Sequence, residues 1–174
     1  MQALKERKSG REFSSKKLPI ETLSNLLWAA WGINRSDGHR TAPSARNMQE
    51  MDVYVTLSDG LFLYEAKNHQ LKKILGEDIR AGTGNNEYVK DAALNLIYVA
   101  DLAKANIKDP LAVEFYTGAD TAFLAQNVYL FCASEGLSAV VRGNINRPEL
   151  AKLMRLRSDQ KITLAQSVGY PKTD

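Results

Sequence analysis

Cysteine occurs once in this 174-residue sequence, at Cys132, and histidine only twice, at His39 and His69. A lone thiol closes no internal disulfide and builds no cysteine zinc cage, so the fold is expected to need neither oxidation nor a structural metal, and a reducing compartment follows. The histidines lie far apart with no second His or Cys at ligand spacing, and no metal site is assigned. No stretch approaches the roughly 20 apolar residues that span a bilayer, and the opening MQALKERKSG has no apolar signal segment, which points to a cytoplasmic protein without a membrane partner. Neither sign of charge is in excess: 23 Lys+Arg against 20 Asp+Glu leave a net charge of +3, too little to imply nucleic-acid binding. The P-loop, dinucleotide-binding and nucleophile-elbow patterns are also missing, and Gly82-Thr83-Gly84 is too brief to cradle a phosphate.

What is present, 44% hydrophobic and 25% charged residues, suits one globular domain over 1–174 or one subunit of an oligomer. Met1 to Lys8 reads as a short helix. Ile20, Leu23, Leu27 and Trp31 then recur at helical spacing behind Pro19, a first-turn residue, and this helix ends near Gly32. Asn34 to Gln49 is polar and aperiodic, a long loop of the kind that often carries function. Asp52 to Leu57 and Leu61 to Tyr64 flank Ser58-Asp59-Gly60 as a β-hairpin, and Ala93 to Ala100 is a buried-strand candidate. Ala119 to Glu135 is a helix apolar almost all the way round, suited to a core or a subunit interface, and Cys132 within it reads as a small buried hydrophobe rather than a nucleophile. Gly136 follows as the residue after the helix cap. Leu137 to Val141, a short helix at Pro148 to Met154 and Lys161 to Val168 complete a single α+β domain.

One short stretch stands out. ERKSGREF gathers Arg7, Lys8 and Arg11 around Ser9 and Gly10. Such a run serves either as a solvated basic face or as converging donors for a compact anion, and composition leaves both open. The stretch resembles the R-R/K-S-x-R-x-F opening of the nitroreductase family of FMN-dependent oxidoreductases. It is followed by an Ile-Glu-x-Leu helix and Ala29-Ala30-Trp31-Gly32. RTAPSARN is similar to that family's P-S-x-x-N loop, Gln126-Asn127 to its Q-N-x-x-L-x-A helix, EGLSAVVRG to its G-L-x-x-x-x-x-G strand and turn, and SVGYPK to its C-terminal G-Y-P.

The resemblance implies a nitroreductase-like α+β fold, with a central mixed or antiparallel sheet flanked by helices, in an intertwined homodimer holding FMN at the subunit interface. It places Arg7, Lys8 and Ser9 at the FMN phosphate and ribityl chain, and Arg11 at the pyrimidine edge. Pro43, Ser44, Ala45 and Asn47 would reach the cofactor from the other subunit. Val140, Val141, Arg142 and Gly143 would lie along one flavin face. Two departures are visible. Arg142 stands where relatives carry an acidic or small residue, and would place a cation near the isoalloxazine or draw an anionic substrate. The sequence also ends soon after Gly-Tyr-Pro, so that Lys172 would stand in for a later phosphate ligand, and it has no room for a large insertion before the long helix, which suggests an open or partner-covered site. The implied function is hydride transfer from NAD(P)H through flavin N5 to a nitro compound or quinone in a ping-pong cycle, without a catalytic side chain. The alternatives are the same fold with another flavin reaction, azoline dehydrogenation or dehalogenation, and a flavin-binding module without turnover.

Overall fold

The computed structural model describes residues 1–105 and 107–172. Six strands form one sheet in the order β3-β2-β1-β4-β6-β5, and the neighbouring strands pair antiparallel. They are β1 (Met51–Leu57), β2 (Gly60–Glu65), β3 (Gln70–Leu75), β4 (Leu94–Asp101), β5 (Ser138–Arg142) and β6 (Gln160–Gly169). The helices are α1 (Gln2–Glu6), α2 (Ile20–Trp31), α3 (Pro110–Ser134) and α4 (Arg147–Leu153).

Period-two alternation in the central strands divides the core between the two sheet faces. Leu94, Leu96, Tyr98 and Ala100 of β4, with Val53 and Val55 of β1, pack under α2 and α3 against Leu26, Trp31, Leu124, Val128 and Cys132. Ile97 and Val99 point the other way, into a smaller cluster with Tyr54, Ile162, Leu150 and Met154 beneath α4. Every residue of β4 is buried, as its near-continuous apolar run anticipated.

Helix α3 begins at Pro110 rather than Ala119. Asp109 caps it by accepting the Leu111 N–H at 3.1 Å, and Pro110 has the backbone angle and missing donor that a first turn tolerates. Its end is as expected: Gly136 takes φ +67°, and the Leu137 N–H returns to the Cys132 carbonyl at 2.8 Å. Strand β3 was not anticipated, because Gln70, Lys72 and Lys73 break its apolar pattern; those residues suit an exposed sheet edge. Arg142, expected in a turn, closes β5 instead.

Candidate functional site

After α1 the chain runs extended along β5 and extends the sheet edge. Ser9 forms a parallel bridge with Ala139, and the Gly10 N–H donates to the Ala139 carbonyl at 3.0 Å. A Cβ on Gly10 would lie 2.5 Å from Ser138 Oγ and 3.1 Å from Ser138 Cβ, so a side chain here would force Ser138 to shift. Further on, the Ser14 N–H donates to the Tyr170 carbonyl at 3.0 Å, and Phe13 bridges Pro171. ERKSGREF is therefore sewn to the sheet by backbone hydrogen bonds rather than lying loose as a basic tail.

Tyr129, a residue the sequence reading did not single out, ties this segment to α3 and to β5. Its hydroxyl accepts the Val141 N–H at 2.8 Å and lies 2.8 Å from Ser9 Oγ. With Val141 as the fixed donor, Tyr129 can donate its O–H to Ser9 Oγ and leave the Ser9 O–H for a ligand. Arg7 stacks over the same ring, its guanidinium carbon 5.3 Å from the centroid. Lys8, Ser9 and Arg11 are exposed and Arg7 is half-buried. Among the described residues, the ion pairs involve none of Arg7, Lys8 and Arg11.

At the end of β5, Val140 is buried with Phe13 and Ala92, Val141 faces the helical layer, and Gly143 is exposed. Arg142 departs from the expected free cation. Its side chain turns inward, only 4% exposed, donating to the Thr83 carbonyl at 2.8 Å, Asn95 Oδ1 at 3.0 Å and Ser167 Oγ at 3.1 Å. These acceptors are neutral, and burial lowers the guanidinium to about 10. Arg142 thus joins β5 to β4, β6 and the 80–83 turn, and presents no cation for drawing in an anionic substrate. Lys172 lies across the N-terminal segment, its N–H donating to the Glu12 carbonyl at 3.3 Å. It lines a cavity of about 570 Å³ with Phe13, Lys17, Arg80 and Lys90. A second cavity of about 350 Å³ lies between Trp31, Arg40 and Tyr64. Neither cavity is lined by any of the twelve residues expected at FMN.

The loop before β1 is held in an unusual shape. Arg46, Asn47 and Gln49 adopt φ of 53°, 53° and 50°, a region that side chains other than Asn and Asp seldom enter. Several bonds enforce it. The Ala45 N–H donates to both Asp120 oxygens at 3.1 and 2.9 Å, the Gln49 N–H donates to Ser44 Oγ at 3.0 Å, and Arg40 Nε donates to Gln49 Oε1 at 2.7 Å. Immediately after the loop Glu50 is fully buried, and neither carboxyl oxygen has a hydrogen-bond partner among the described residues. Burial, reinforced by Asp120 alongside, pushes Glu50 up to about 7.

Two groups of expected residues therefore form on the same helix and do not meet. Arg7, Lys8, Ser9 and Arg11 adjoin the β5 end at Tyr129, whereas Pro43, Ser44, Ala45 and Asn47 are held at Asp120. At about 1.5 Å of rise and about 100° of turn per residue, Asp120 and Tyr129 stand roughly 14 Å apart along α3 on opposite borders of its buried stripe. Asp120 has a signal in the sequence, a carboxylate close to the start of the apolar run and flanked by Ala119 and Thr121; Tyr129 carries no local signal.

The model of the nitroreductase family matches residues 4–170. A Methanocaldococcus jannaschii protein assigned by name to the nitroreductases is 27% identical over 162 residues, covering 87% of this chain and 82% of the relative. A crystal structure from Ralstonia eutropha, also named as a nitroreductase, superposes with a TM-score of 0.95 at 42% identity, over 100% of this chain and 83% of that one. An iodotyrosine dehalogenase 1 homologue of Caenorhabditis elegans is 25% identical over 191 residues, spanning 98% of this chain and 54% of the relative.

Proposed function

The chain belongs to the nitroreductase family and is an oxidoreductase, and from that premise we propose that it binds FMN and uses it to move hydride from NAD(P)H to a small acceptor such as a nitro compound or a quinone. The observation that carries this reading is the segment Arg7 to Arg11: three cations without carboxylate partners among the described residues, fixed against the end of β5 through Tyr129 and Ala139. The donors fit a phosphorylated ligand. Arg7 and Lys8 supply charge, Ser9 supplies a hydroxyl oriented from behind by Tyr129, and Gly10 lets backbone lie close to the sheet.

FMN, when bound, supplies the redox chemistry, taking up hydride at N5 and giving electrons to a second substrate in a ping-pong cycle. The protein's part is placement and charge. Arg7, Lys8 and Ser9 would hold the phosphate and ribityl chain, and Arg11 would put positive charge at the pyrimidine edge, which favours negative charge there and raises the reduction potential. The backbone of Val140, Val141, Arg142 and Gly143 would support one ring face. Pro43, Ser44, Ala45 and Asn47 are held at the opposite border of the buried stripe of α3 from Tyr129, which supports a homodimer in which this loop serves the partner's FMN. Exposed Leu111, Phe115 and Phe123 on α3 supply apolar surface for such a partner.

The C. elegans relative favours a second reading with the same site, reductive dehalogenation of an aromatic substrate. Purified protein is expected to be yellow, or to melt at higher temperature with added FMN. NADH or NADPH should bleach the flavin without oxygen, and a quinone or nitro compound should restore the colour. A colourless protein with no FMN-dependent rise in melting temperature would overturn the reading, and restoration by a halogenated phenol but by no nitro compound or quinone would favour dehalogenation. Arg7→Ala should chiefly weaken FMN affinity and Arg11→Ala should also lower the flavin potential; equal potential shifts would reject that division.

A further inference from the structure

Glu50 presents a charge problem that the proposed FMN chemistry does not use. Its side chain is wholly covered within one chain, at 0% exposure, and Asp120 beside it is 1% exposed. Two adjoining carboxyl groups removed from water cannot both remain ionised without a counter-charge. A partner molecule cannot supply that charge by touching Glu50, because the chain already encloses it. The surroundings do not supply it either. From α3, Asp120 faces Glu50; from the turn after β4, Lys104 acts on it at longer range but is committed to Asp52 at 2.6 Å and Asp101 at 3.7 Å. Arg40, in the loop ahead of β1, donates to Gln49 and to the Trp31 carbonyl at 3.1 Å. Asp101 donates its backbone N–H to the Glu50 carbonyl at 2.9 Å while its carboxylate is taken by Arg157 at 2.8 Å.

Both Glu50 oxygens lack a donor among the described residues, and both Asp120 oxygens already accept the Ala45 N–H. One added proton resolves the arrangement: a carboxylic acid at Glu50 has an O–H to give, and Asp120 is the neighbouring acceptor, the next residues along each segment, Met51 and Thr121, being in contact with Sδ and Oγ1 3.8 Å apart. We propose that Glu50 and Asp120 form a buried acid–carboxylate pair sharing a single proton, and that this proton fastens the 43–49 loop to α3, so that its loss at alkaline pH loosens the loop. The elevated Glu50 value agrees with that placement. The pair stands on the geometry of the chain alone, whereas its consequence for FMN, weaker capping of the partner's cofactor above neutral pH, rests on the FMN reading.

The sign of the linkage is definite. An acid held above its ordinary 4.5 adds stability while protonated and forfeits it as pH rises toward about 7. Glu50→Gln keeps the shape and a donor toward Asp120 while removing the titration. The unfolding equilibrium constant of the wild type relative to Glu50→Gln should therefore rise up to about tenfold per pH unit across that window and level off above it. A ratio independent of pH overturns the proposal.

Infrared spectroscopy of the flavin-free wild type at about pH 6 should show one protonated-carboxyl band, which disappears at lower pH in Asp120→Asn, where an amide donor favours ionised Glu50. This second reading holds whether or not Glu50→Gln folds, and an absent band, or one unmoved by Asp120→Asn, overturns the pair. Hydrogen exchange at Ala45, taken as wild type over Glu50→Gln, should accelerate above about pH 7; an unchanged ratio overturns the loop release. All three readings are made without FMN, so failure of the pair and failure to bind flavin are separate results.

Discussion

The two ends of the buried stripe on α3 hold their loops in opposite ways. At the Tyr129 end, a hydroxyl is satisfied by a backbone N–H and a serine, a ring is covered by a guanidinium, and the neighbouring cations have no ion-pair partner among the described residues. At the Asp120 end, a carboxylate takes a backbone N–H and faces a second, unsatisfied carboxyl, while the loop it holds has three residues with left-handed backbone. The first end is neutral where it is buried and charged where it is exposed. The second buries its charge. A ligand-binding surface needs the former, because cations available to an anion must not be consumed by the fold; a strained loop needs the latter, because only strong local bonds hold such backbone in place.

The largest test of that contrast is Tyr129→Ala. Tyr129 is 8% exposed in the main core, so loss of its ring should cost about 3–5 kcal/mol in urea unfolding and free the N-terminal segment, read as faster amide exchange at Gly10. Exchange at Ala45 should hardly change, and a comparable acceleration there would mean that the ends are not independent. Asp120→Ala should do the converse at a smaller cost, about 2 kcal/mol, by orphaning the Ala45 N–H. Its cost should be greater at about pH 5.5 than at about pH 8.5. At the lower pH the wild type still has the Glu50 proton and its bond, whereas at the higher pH removing Asp120 relieves a carboxylate repulsion.

Much of the fold was readable because it is encoded locally. The apolar spacing of α2, the hairpin at Ser58-Asp59-Gly60, the continuous run of β4 and the helix stop at Gly136 all appear in the sequence as they do in the molecule. Edge strand β3 and the first turns of α3 were not readable, since charged and small residues there mask the period. For the candidate site, the order of ERKSGREF, PSARN, GLSAVVRG and GYP anticipated the family. What each residue touches was hidden. Ser9 and Tyr129 meet across 120 positions, and Ala45 and Asp120 across 75, so no window of sequence holds both partners. Arg142 misled for a related reason: a cation at a strand end reads as exposed until Thr83, Asn95 and Ser167 are seen to enclose it.

A finer test removes only the Tyr129 hydroxyl. Tyr129→Phe keeps the ring under Arg7 and leaves the Val141 N–H to water, at a cost of about 1 kcal/mol. That cost should be equal at about pH 5.5 and 8.5, because the carboxyl pair at the other end is untouched. A pH-dependent loss would show that the Tyr129 end is coupled to the titration. On the FMN reading the same variant should weaken FMN binding several-fold, because the Ser9 proton is no longer directed outward.

The smallest expected change in stability comes from Arg7→Gln, and there stability and binding should separate most clearly. A half-exposed guanidinium over a ring contributes about 0.5–1 kcal/mol, so the melting temperature should barely fall. On the FMN reading, loss of a charge-assisted bond to phosphate removes about 1.5–3 kcal/mol of binding, tenfold or more in affinity, measured by flavin fluorescence titration. A residue employed mainly by the fold would show the reverse: a larger loss of stability and unchanged FMN affinity. Arg142, enclosed by three neutral acceptors, supplies that control within the same chain. Arg142→Gln should lose more stability than Arg7→Gln and less FMN affinity, and the opposite order would assign the exposed cation to the fold and the buried one to the ligand.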